Sequence, residues 1–294
     1  PPPPPPPPPP TPNHPPPTDN YTLSLHDALP ILMGILNVTP DSFSDGGDYH
    51  ALPAALAHVE SMVKAGADII DIGGESTRPG AAPVSVPEEL DRVLPIVEAV
   101  AEQFDVAISV DTSQPEVMRA SVAAGAGMIN DVRALREEGA LEAAAATGAA
   151  VCLMHMQGTP ATMQDAPRYN ALPGDVIEFL AERLQAAGSA GIRQDQLVAD
   201  PGFGFGKTDR HNLQLLATLR EFRSLGVPVL VGLSRKRTLG QLAGSPERDR
   251  VPVGIAAAVI AASAGADIIR THDVAETVDA LRVVHEVRQA GLKQ

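Results

Sequence analysis

Residues 69–78 read IIDIGGESTR, a short apolar run that ends in glycine and then in polar and charged side chains. The same order recurs along the chain, where eight apolar runs of strand length end in, or lead into, polar residues. These polar groups begin at residues 37, 73, 111, 130, 155, 200, 234 and 270. In a (β/α)8 barrel the catalytic residues lie at the carboxyl ends of the strands. The sequence therefore predicts an α/β fold, a single (β/α)8 TIM barrel, with one active-site mouth.

Segments of helical character separate the apolar runs. Several begin at Ser, Thr, Asp or Pro and end at glycine, which are common residues at the two ends of a helix. The predicted helices span residues 51–65, 88–103, 115–124, 138–147, 173–190, 209–224, 252–264 and 274–290. Alternating β and α segments predict a parallel sheet. A doubly wound open sheet is the alternative, and the barrel is favoured because polar residues follow all eight runs rather than one switch point.

The beginning of the chain differs from the rest. Residues 1–17 are nearly all proline, which favours polyproline II or disorder. Residues 22–31 can be back-translated into a common sequencing-adapter sequence, so we interpret residues 1–31 as a disordered artefact, with a genuine linker as the alternative. We expect this segment to make few contacts and to leave the amino-terminal face of the barrel under-covered. Residues 32–294 would form the catalytic domain, close to the roughly 250 residues of one barrel.

The composition narrows the classes of partner. The formal net charge is -14, which argues against nucleic acid and anionic membranes, so positive charge for an anionic substrate must be local. The single cysteine, Cys152, lies within an apolar run, so we expect a buried inert thiol in a reducing compartment, the cytoplasm. The apolar stretch 251–269 contains Asp267 and is interpreted as a buried helix that enters a strand, not as a membrane span.

Three strand ends carry a carboxylate, an amide and a carboxylate, namely Asp111, Asn130 and Asp200. Such a set fits the edge of a heterocycle that presents amino and ring N–H donors, because a carboxylate can accept a bidentate pair of hydrogen bonds. Three unrelated loop caps are the alternative.

Two long polar loops, residues 37–47 and 73–80, follow the first two apolar runs and are candidates for lids over the mouth. Asn37, at the start of the first loop, could bind Mg²⁺ through its amide oxygen or simply form a turn.

Segment 200–208 ends in Gly-Lys-Thr like a phosphate-binding P-loop, but Pro201 stands where that motif requires glycine. Nucleotide binding is therefore rejected. The glycines of this segment would instead let the backbone pass beneath a planar ligand, with Phe205 as a wall. Residues 234–236 and 270–272 end the last two runs, where barrels usually bind phosphate, and their cations would bind an anionic leaving group. His155 is interpreted as a packed, hydrogen-bonded imidazole rather than a metal ligand.

Six segments carry a resemblance to a known family. Residues 34–47, 73–80, 109–112, 129–131, 200–207 and 234–236 closely resemble, in sequence and order, the bacterial dihydropteroate synthases. The resemblance runs from about Leu32 to the carboxyl terminus. One departure is Thr271, where the family would have an apolar residue, and it affects packing more than chemistry.

The resemblance implies condensation of 6-hydroxymethyl-7,8-dihydropterin pyrophosphate with p-aminobenzoate in folate biosynthesis, by a cytoplasmic homodimer that uses Mg²⁺. It also implies that a sulfonamide would compete with p-aminobenzoate. Asp111, Asp200 and Lys236 would be the catalytic residues. The positions that match the family's sites are, for the pterin, Asp111, Asn130, Asp200, Phe205 and Lys236; for pyrophosphate, Asn37 (with Mg²⁺), Arg270 and His272; and for p-aminobenzoate, Phe43, Thr77, Arg78 and Ser234.

Two other functions remain open from the sequence. A pterin-binding methyltransferase would share the barrel and the pterin carboxylates, but it should lack the loop 37–47 and the Ser234-Arg235-Lys236 segment. A catalytically silent pterin-binding protein should have lost Lys236 or the pyrophosphate cations. Both sets of residues are present in this chain.

Overall fold

Parallel strands alternate with helices along the chain. The structure, a computed structural model, describes residues 29–38, 48–76, 84–160, 162–244 and 248–292. The strands are β1 Ile31–Asn37, β2 Ile69–Gly73, β3 Ala107–Asp111, β4 Met128–Asp131, β5 Ala150–Met154, β6 Leu197–Asp200, β7 Leu230–Val231 and β8 Ile268–Thr271. The α-helices are α1 Asp48–Ala65, α2 Val86–Gln103, α3 Pro115–Ala123, α4 Ala140–Thr147, α5 Gly174–Ser189, α6 Asp209–Ala217, α7 Arg237–Leu242, α8 Val251–Ser263 and α9 Val274–Leu292.

The strands lie in the order β6-β5-β4-β3-β2-β1-β8-β7, and the paired neighbours are parallel. Strand β7 has only two residues. Between β6 and β7, a bridge joins Ala199 to Val229, and the Ala199 amide donates to the Pro228 carbonyl at 2.9 Å. The sheet is therefore a nearly closed barrel, which confirms the predicted fold class.

The barrel interior is packed with side chains. Met33, Cys152, Val198, Leu230 and Ile268, each from a different strand, belong to one buried cluster. Their neighbours in sequence belong instead to the larger clusters between sheet and helices, as expected when successive strand residues point to opposite faces. Burial raises the pKa of the Cys152 thiol well above its usual range, so this cysteine is the inert thiol that was predicted.

Most predicted helices are confirmed, with ends that coincide or are shifted by at most three residues. The predicted helix 209–224 is interrupted, because α6 ends at Ala217 and a 3₁₀ helix, Leu219–Leu225, follows. Helix α7 was not predicted, since its six residues are too short to show an apolar period. The stretch 251–269 is α8 followed by β8, as interpreted. Within the described ranges, no helix combines the length and apolar character that a membrane crossing requires.

Strand β1 begins one residue before the predicted domain boundary. The Ile31 amide donates to the Asp267 carbonyl at 2.9 Å, and Ile31 pairs with Ile268 of β8. Residues 1–28 lie outside the described residues, so the interpretation of that segment stays a prediction.

Candidate active site

The carboxyl ends of the strands bring several of the predicted site residues together. Asn37, Gly73, Asp111 and Asn130 lie in one row across β1 to β4, because each is the register partner of the next. A Cβ at Gly73 would lie 3.3 Å from the Cβ of Asp111, so glycine leaves room beside this carboxylate. Asp200 ends β6, in register with Met154 of β5.

Arg270 of β8 lies between two carboxylates. Its Nε donates to Oδ2 of Asp71 at 2.6 Å, and its Nη2 donates to Oδ2 of Asp111 at 2.9 Å. The two contacts use different nitrogens of the planar guanidinium, which fixes its orientation. The sequence assigned Arg270 to the pyrophosphate and Asp111 to the pterin, and the structure joins these two residues directly.

Asp71 is a site residue that the sequence analysis missed. It lies within β2, is fully buried, and accepts on Oδ2 from both Arg270 and Nδ2 of Asn130, the latter at 3.0 Å. Its Oδ1 is buried without a hydrogen-bond partner among the described residues. The position of Asp71 between Ile70 and Ile72 could have indicated a paired, buried carboxylate, because charged residues are seldom fully buried unless they are paired.

Burial and the charges of Asp71, Asp111 and Arg270 shift the pKa values of Asp111 and Arg270. Burial raises the pKa of Asp111 to about 7; Arg270 opposes this shift and Asp71 adds to it. Burial alone would lower the pKa of Arg270, but Asp71 and Asp111 outweigh burial, so the net shift is upward and the guanidinium stays charged.

Asp200, Lys236 and Phe205 form the second part of the mouth. The Asp200 Oδ1 accepts from the Gly202 amide at 2.7 Å. Burial raises the pKa of Asp200, and Lys236 is among the groups that oppose this shift. Burial and Arg270 lower the pKa of Lys236 to about 8. The Lys236 Nζ lies 4.1 Å from the centre of the Phe205 ring, a cation–π contact that places the cation over the predicted wall.

His272 and Ser234 meet at the ends of β8 and β7. The Ser234 Oγ lies 3.0 Å from Nδ1 of His272 and accepts from the His272 amide at 3.2 Å. Burial, and then Arg270 and Arg235, lower the pKa of His272 to about 3. This pKa favours the uncharged imidazole at neutral pH. Arg235 is mostly exposed and pairs with Asp273 at 2.6 Å.

The Gly-Lys-Thr sequence is not a phosphate site. The Lys207 side chain is 1% exposed and donates to protein acceptors, so it is not available to a phosphate. His155 packs edge-on against the Phe179 ring, and burial lowers its pKa to about 2, as suits a packed neutral imidazole.

Three of the predicted p-aminobenzoate residues, Phe43, Thr77 and Arg78, lie outside the described residues. Asn37 is described and half-buried at the end of β1. Within the described part of the chain, no group of three or more His, Cys, Asp or Glu side chains could hold a metal ion.

Comparisons with known proteins show which family the chain is similar to. The model of the pterin-binding enzyme family matches residues 33–272. The dihydropteroate synthase of Escherichia coli K12 is 57% identical over 267 residues, which cover 91% of this chain and 95% of the relative. The structure of Yersinia pestis dihydropteroate synthase with a sulfonamide drug complex has a TM-score of 0.86 and 56% identity, and the match covers 91% of this chain and 96% of that chain. The Xanthomonas albilineans enzyme in complex with 7,8-dihydropteroate has a TM-score of 0.81 and 50% identity, covering 90% and 95%.

Proposed function

Because the chain belongs to the pterin-binding enzyme family and, within it, to the dihydropteroate synthases, we propose roles for the residues of its barrel mouth. The enzyme condenses 6-hydroxymethyl-7,8-dihydropterin pyrophosphate with p-aminobenzoate, giving 7,8-dihydropteroate and pyrophosphate in folate biosynthesis. It is a transferase of an alkyl group other than methyl.

The pterin binds to Asp111, Asn130, Asp200 and Lys236, with Phe205 as the wall. The Asn130 Nδ2 donates to Asp71, so its Oδ1 is left as an acceptor for a ring N–H. Asp200 uses Oδ1 for the Gly202 amide, which leaves Oδ2 for the ligand. Two carboxylates and an amide oxygen suit a heterocycle that is rich in N–H donors. This convergence of acceptors on one mouth is the observation that carries the assignment.

The pyrophosphate binds to Arg270, His272 and Asn37. Nε and Nη2 of Arg270 are occupied by carboxylates, and Nη1 is free of hydrogen bonds to the described residues. The neutral His272 gains a proton when the anion enters, because a neighbouring negative charge raises the pKa of an imidazole. Asp111 and Asp200 face the pterin, and their negative charge stabilises positive charge that develops on its methylene carbon as pyrophosphate leaves. This favours a dissociative, S_N1-like path.

Mg²⁺ is part of the proposal. Asn37 offers one amide oxygen, which fits an ion that is bound largely by substrate phosphates and water rather than by a protein cage. Bound with the pyrophosphate, the ion would neutralise charge on the leaving group.

The p-aminobenzoate site is bordered by Ser234 and by Phe43, Thr77 and Arg78. Ser234 lies beside His272, so the two substrates would meet between β7 and β8. A sulfonamide mimic of p-aminobenzoate should therefore compete with p-aminobenzoate and not with the pterin.

We also propose a cytoplasmic homodimer. Ile260 on α8 and Val283 and Val287 on α9 are 50%, 63% and 66% exposed, and these two helices pack side by side. An apolar surface of this kind is suited to a second copy of the chain. The single buried thiol suits a reducing compartment.

The decisive experiment follows formation of 7,8-dihydropteroate from the two substrates, with and without excess EDTA. We expect turnover that requires Mg²⁺. Methyl transfer from a methyl-pterin, or pterin binding without turnover, would instead support one of the two rival functions. Full activity in excess EDTA would remove Mg²⁺ from the proposal while leaving the reaction intact.

A further inference from the structure

Lys207 is a buried cation to which the proposed mechanism assigns no task. It lies within the β6–α6 loop, residues 201–208, and its side chain is 1% exposed. The Nζ atom lies 2.8 Å from Nδ1 of His155, 2.9 Å from the Gly202 carbonyl and 3.0 Å from the Phe205 carbonyl. Three acceptors at these distances match the three protons of an ammonium group. A fourth acceptor, the His155 carbonyl oxygen, is farther away at 3.4 Å.

The loop that Lys207 holds carries two of the proposed pterin contacts. Asp200 immediately precedes the loop, and Phe205 lies within it. Gly202, Gly204 and Gly206 all have positive φ, between 61° and 82°, so the backbone turns sharply at alternate residues. Such a chain has few side chains of its own with which to hold its shape.

Side chains from outside the loop hold its other carbonyls. Gln164 Nε2 donates to the Gly204 carbonyl at 2.8 Å, and the Tyr169 hydroxyl donates to the Gly206 carbonyl at 2.7 Å. Lys207 differs from these two because it binds two carbonyls and also joins the loop to His155. The His155 amide in turn donates to the Asp200 carbonyl at 2.9 Å. His155 is therefore bound both to Lys207 and to the residue from which the loop starts.

We infer that Lys207 is a positioning residue for pterin recognition: its buried ammonium fixes the β6–α6 loop against His155 and so sets the directions of Asp200 and Phe205. The inference rests on the proposed function, since it assumes that these two residues bind the pterin. Burial lowers the pKa of Lys207 to about 7; Asp200 opposes this shift and favours the ammonium form, whereas Lys236 adds to it. The same ammonium helps to keep Asp200 ionised, as pterin binding requires.

The first test is Lys207→Met, which keeps an unbranched side chain, one atom shorter, but leaves three buried acceptors without a donor. We expect KM for the pterin pyrophosphate, and Kd for the same substrate by calorimetry without p-aminobenzoate, to rise by about tenfold or more. KM for p-aminobenzoate should change much less, because neither Asp200 nor Phe205 borders that site. The control is Phe222→Leu, a fully buried change in the 3₁₀ helix before β7, which lowers thermal stability by leaving a cavity but should leave both KM values unchanged.

A second pair of variants keeps the inference testable if Lys207→Met does not fold. In His155→Asn an amide oxygen can take the place of Nδ1 as acceptor, whereas His155→Leu offers none. We expect pterin affinity near that of the wild type for His155→Asn and a weakening in the direction of Lys207→Met for His155→Leu. Equal affinities in this pair, or a folded Lys207→Met protein with unchanged KM for the pterin, would overturn the inference. Absence of turnover in the wild-type enzyme would instead overturn the proposed function.

Discussion

A single guanidinium joins the two halves of the barrel mouth. Arg270 contacts Asp71, which is 199 residues away in the chain, and Asp111, which is 159 residues away. Asp71 also fixes Asn130, so one buried carboxylate orients the proposed pyrophosphate residue Arg270 and the proposed pterin residue Asn130 through the same oxygen. The charge states in this mouth are therefore shared properties of several side chains.

Asp200→Asn tests the carboxylates directly. The variant keeps the shape of the side chain but loses the charge that pairs with pterin N–H donors. We expect kcat/KM for the pterin pyrophosphate to fall by a factor that corresponds to about 1–3 kcal/mol. The control is Asp195→Asn, an exposed carboxylate in the 3₁₀ helix Gln194–Gln196, which should leave kcat/KM unchanged. A near-normal value for Asp200→Asn would remove Asp200 from the site.

The pH dependence of activity should report Asp111. Its pKa is raised to about 7, so the side chain takes up a proton as the pH falls through that value and can no longer accept two hydrogen bonds as a carboxylate. We expect kcat/KM for the pterin substrate to decline below about pH 7. In Asp71→Asn one of the charges that raise this pKa is gone, so the decline should move to lower pH.

The substrate ionises in the same way in assays of the wild type and of Asp71→Asn. A difference between the two pH profiles therefore reports a pKa of the enzyme and not of the substrate. The other charged neighbours of Asp111 are Arg270, Asp131 and Glu89, which the variant leaves in place. Identical acid limbs in the wild type and Asp71→Asn would contradict the coupling of these carboxylates.

In the β6–α6 loop, the backbone at position 202 lies so close to His155 that only glycine fits there. A Cβ at Gly202 would lie 1.9 Å from the His155 carbonyl oxygen, a distance that no rotation of a side chain can relieve. The positive φ of 71° adds strain for any other residue. The loop can therefore rest directly on the residues that follow β5, and this contact places Asp200 at the mouth.

Gly202→Ala should consequently unfold at lower denaturant and lose pterin affinity. Gly148→Ala is the matched control, because Gly148 has a φ of 69° but open space around it. Backbone strain alone should cost about 1–3 kcal/mol in the control. We expect a larger loss of the free energy of unfolding for Gly202→Ala, together with a higher Kd for the pterin. Equal losses in the two variants would show that the contact with His155 is not what fixes the loop.

The outer surface of the whole barrel carries the proposed subunit contact. Helix α8 is apolar on nearly every face, and part of it, with Val283 and Val287 of α9, remains exposed. A helix that is hydrophobic all round is usually buried, and a second copy would complete that burial. A stable interface requires about 1,200–2,000 Å² of buried surface.

The double variant Val283→Asp, Val287→Asp should separate the subunits. Both positions are solvent-exposed within one chain, so the charges should cost little in the isolated subunit. We expect light scattering to give the mass of two chains for the wild type and of one chain for the variant. Leu213→Asp on α6, another exposed apolar position, is the control and should stay dimeric. A monomeric wild type would contradict the proposed homodimer.

The order of strands and helices was already determined by the sequence, because strand and helix periods and their end signals are local properties. Most helix ends were predicted to within three residues, and the polar residues after each apolar run located the mouth. Short elements could not be predicted in this way. Helix α7 has only six residues, and the break in the predicted helix at Thr218 depends on packing rather than on hydrophobic periodicity.

Only the tertiary structure decided which of these residues act together. The fork of Arg270 between Asp71 and Asp111, the neutral His272 and the burial of Lys207 all depend on partners from distant segments. The charge state of a side chain depends on its burial away from water and on the neighbouring charges in space. Neither can be predicted from the local sequence pattern. The sequence thus proposed polar residues for the site, whereas the closing of the barrel decided which of them carry charge and which orient the others.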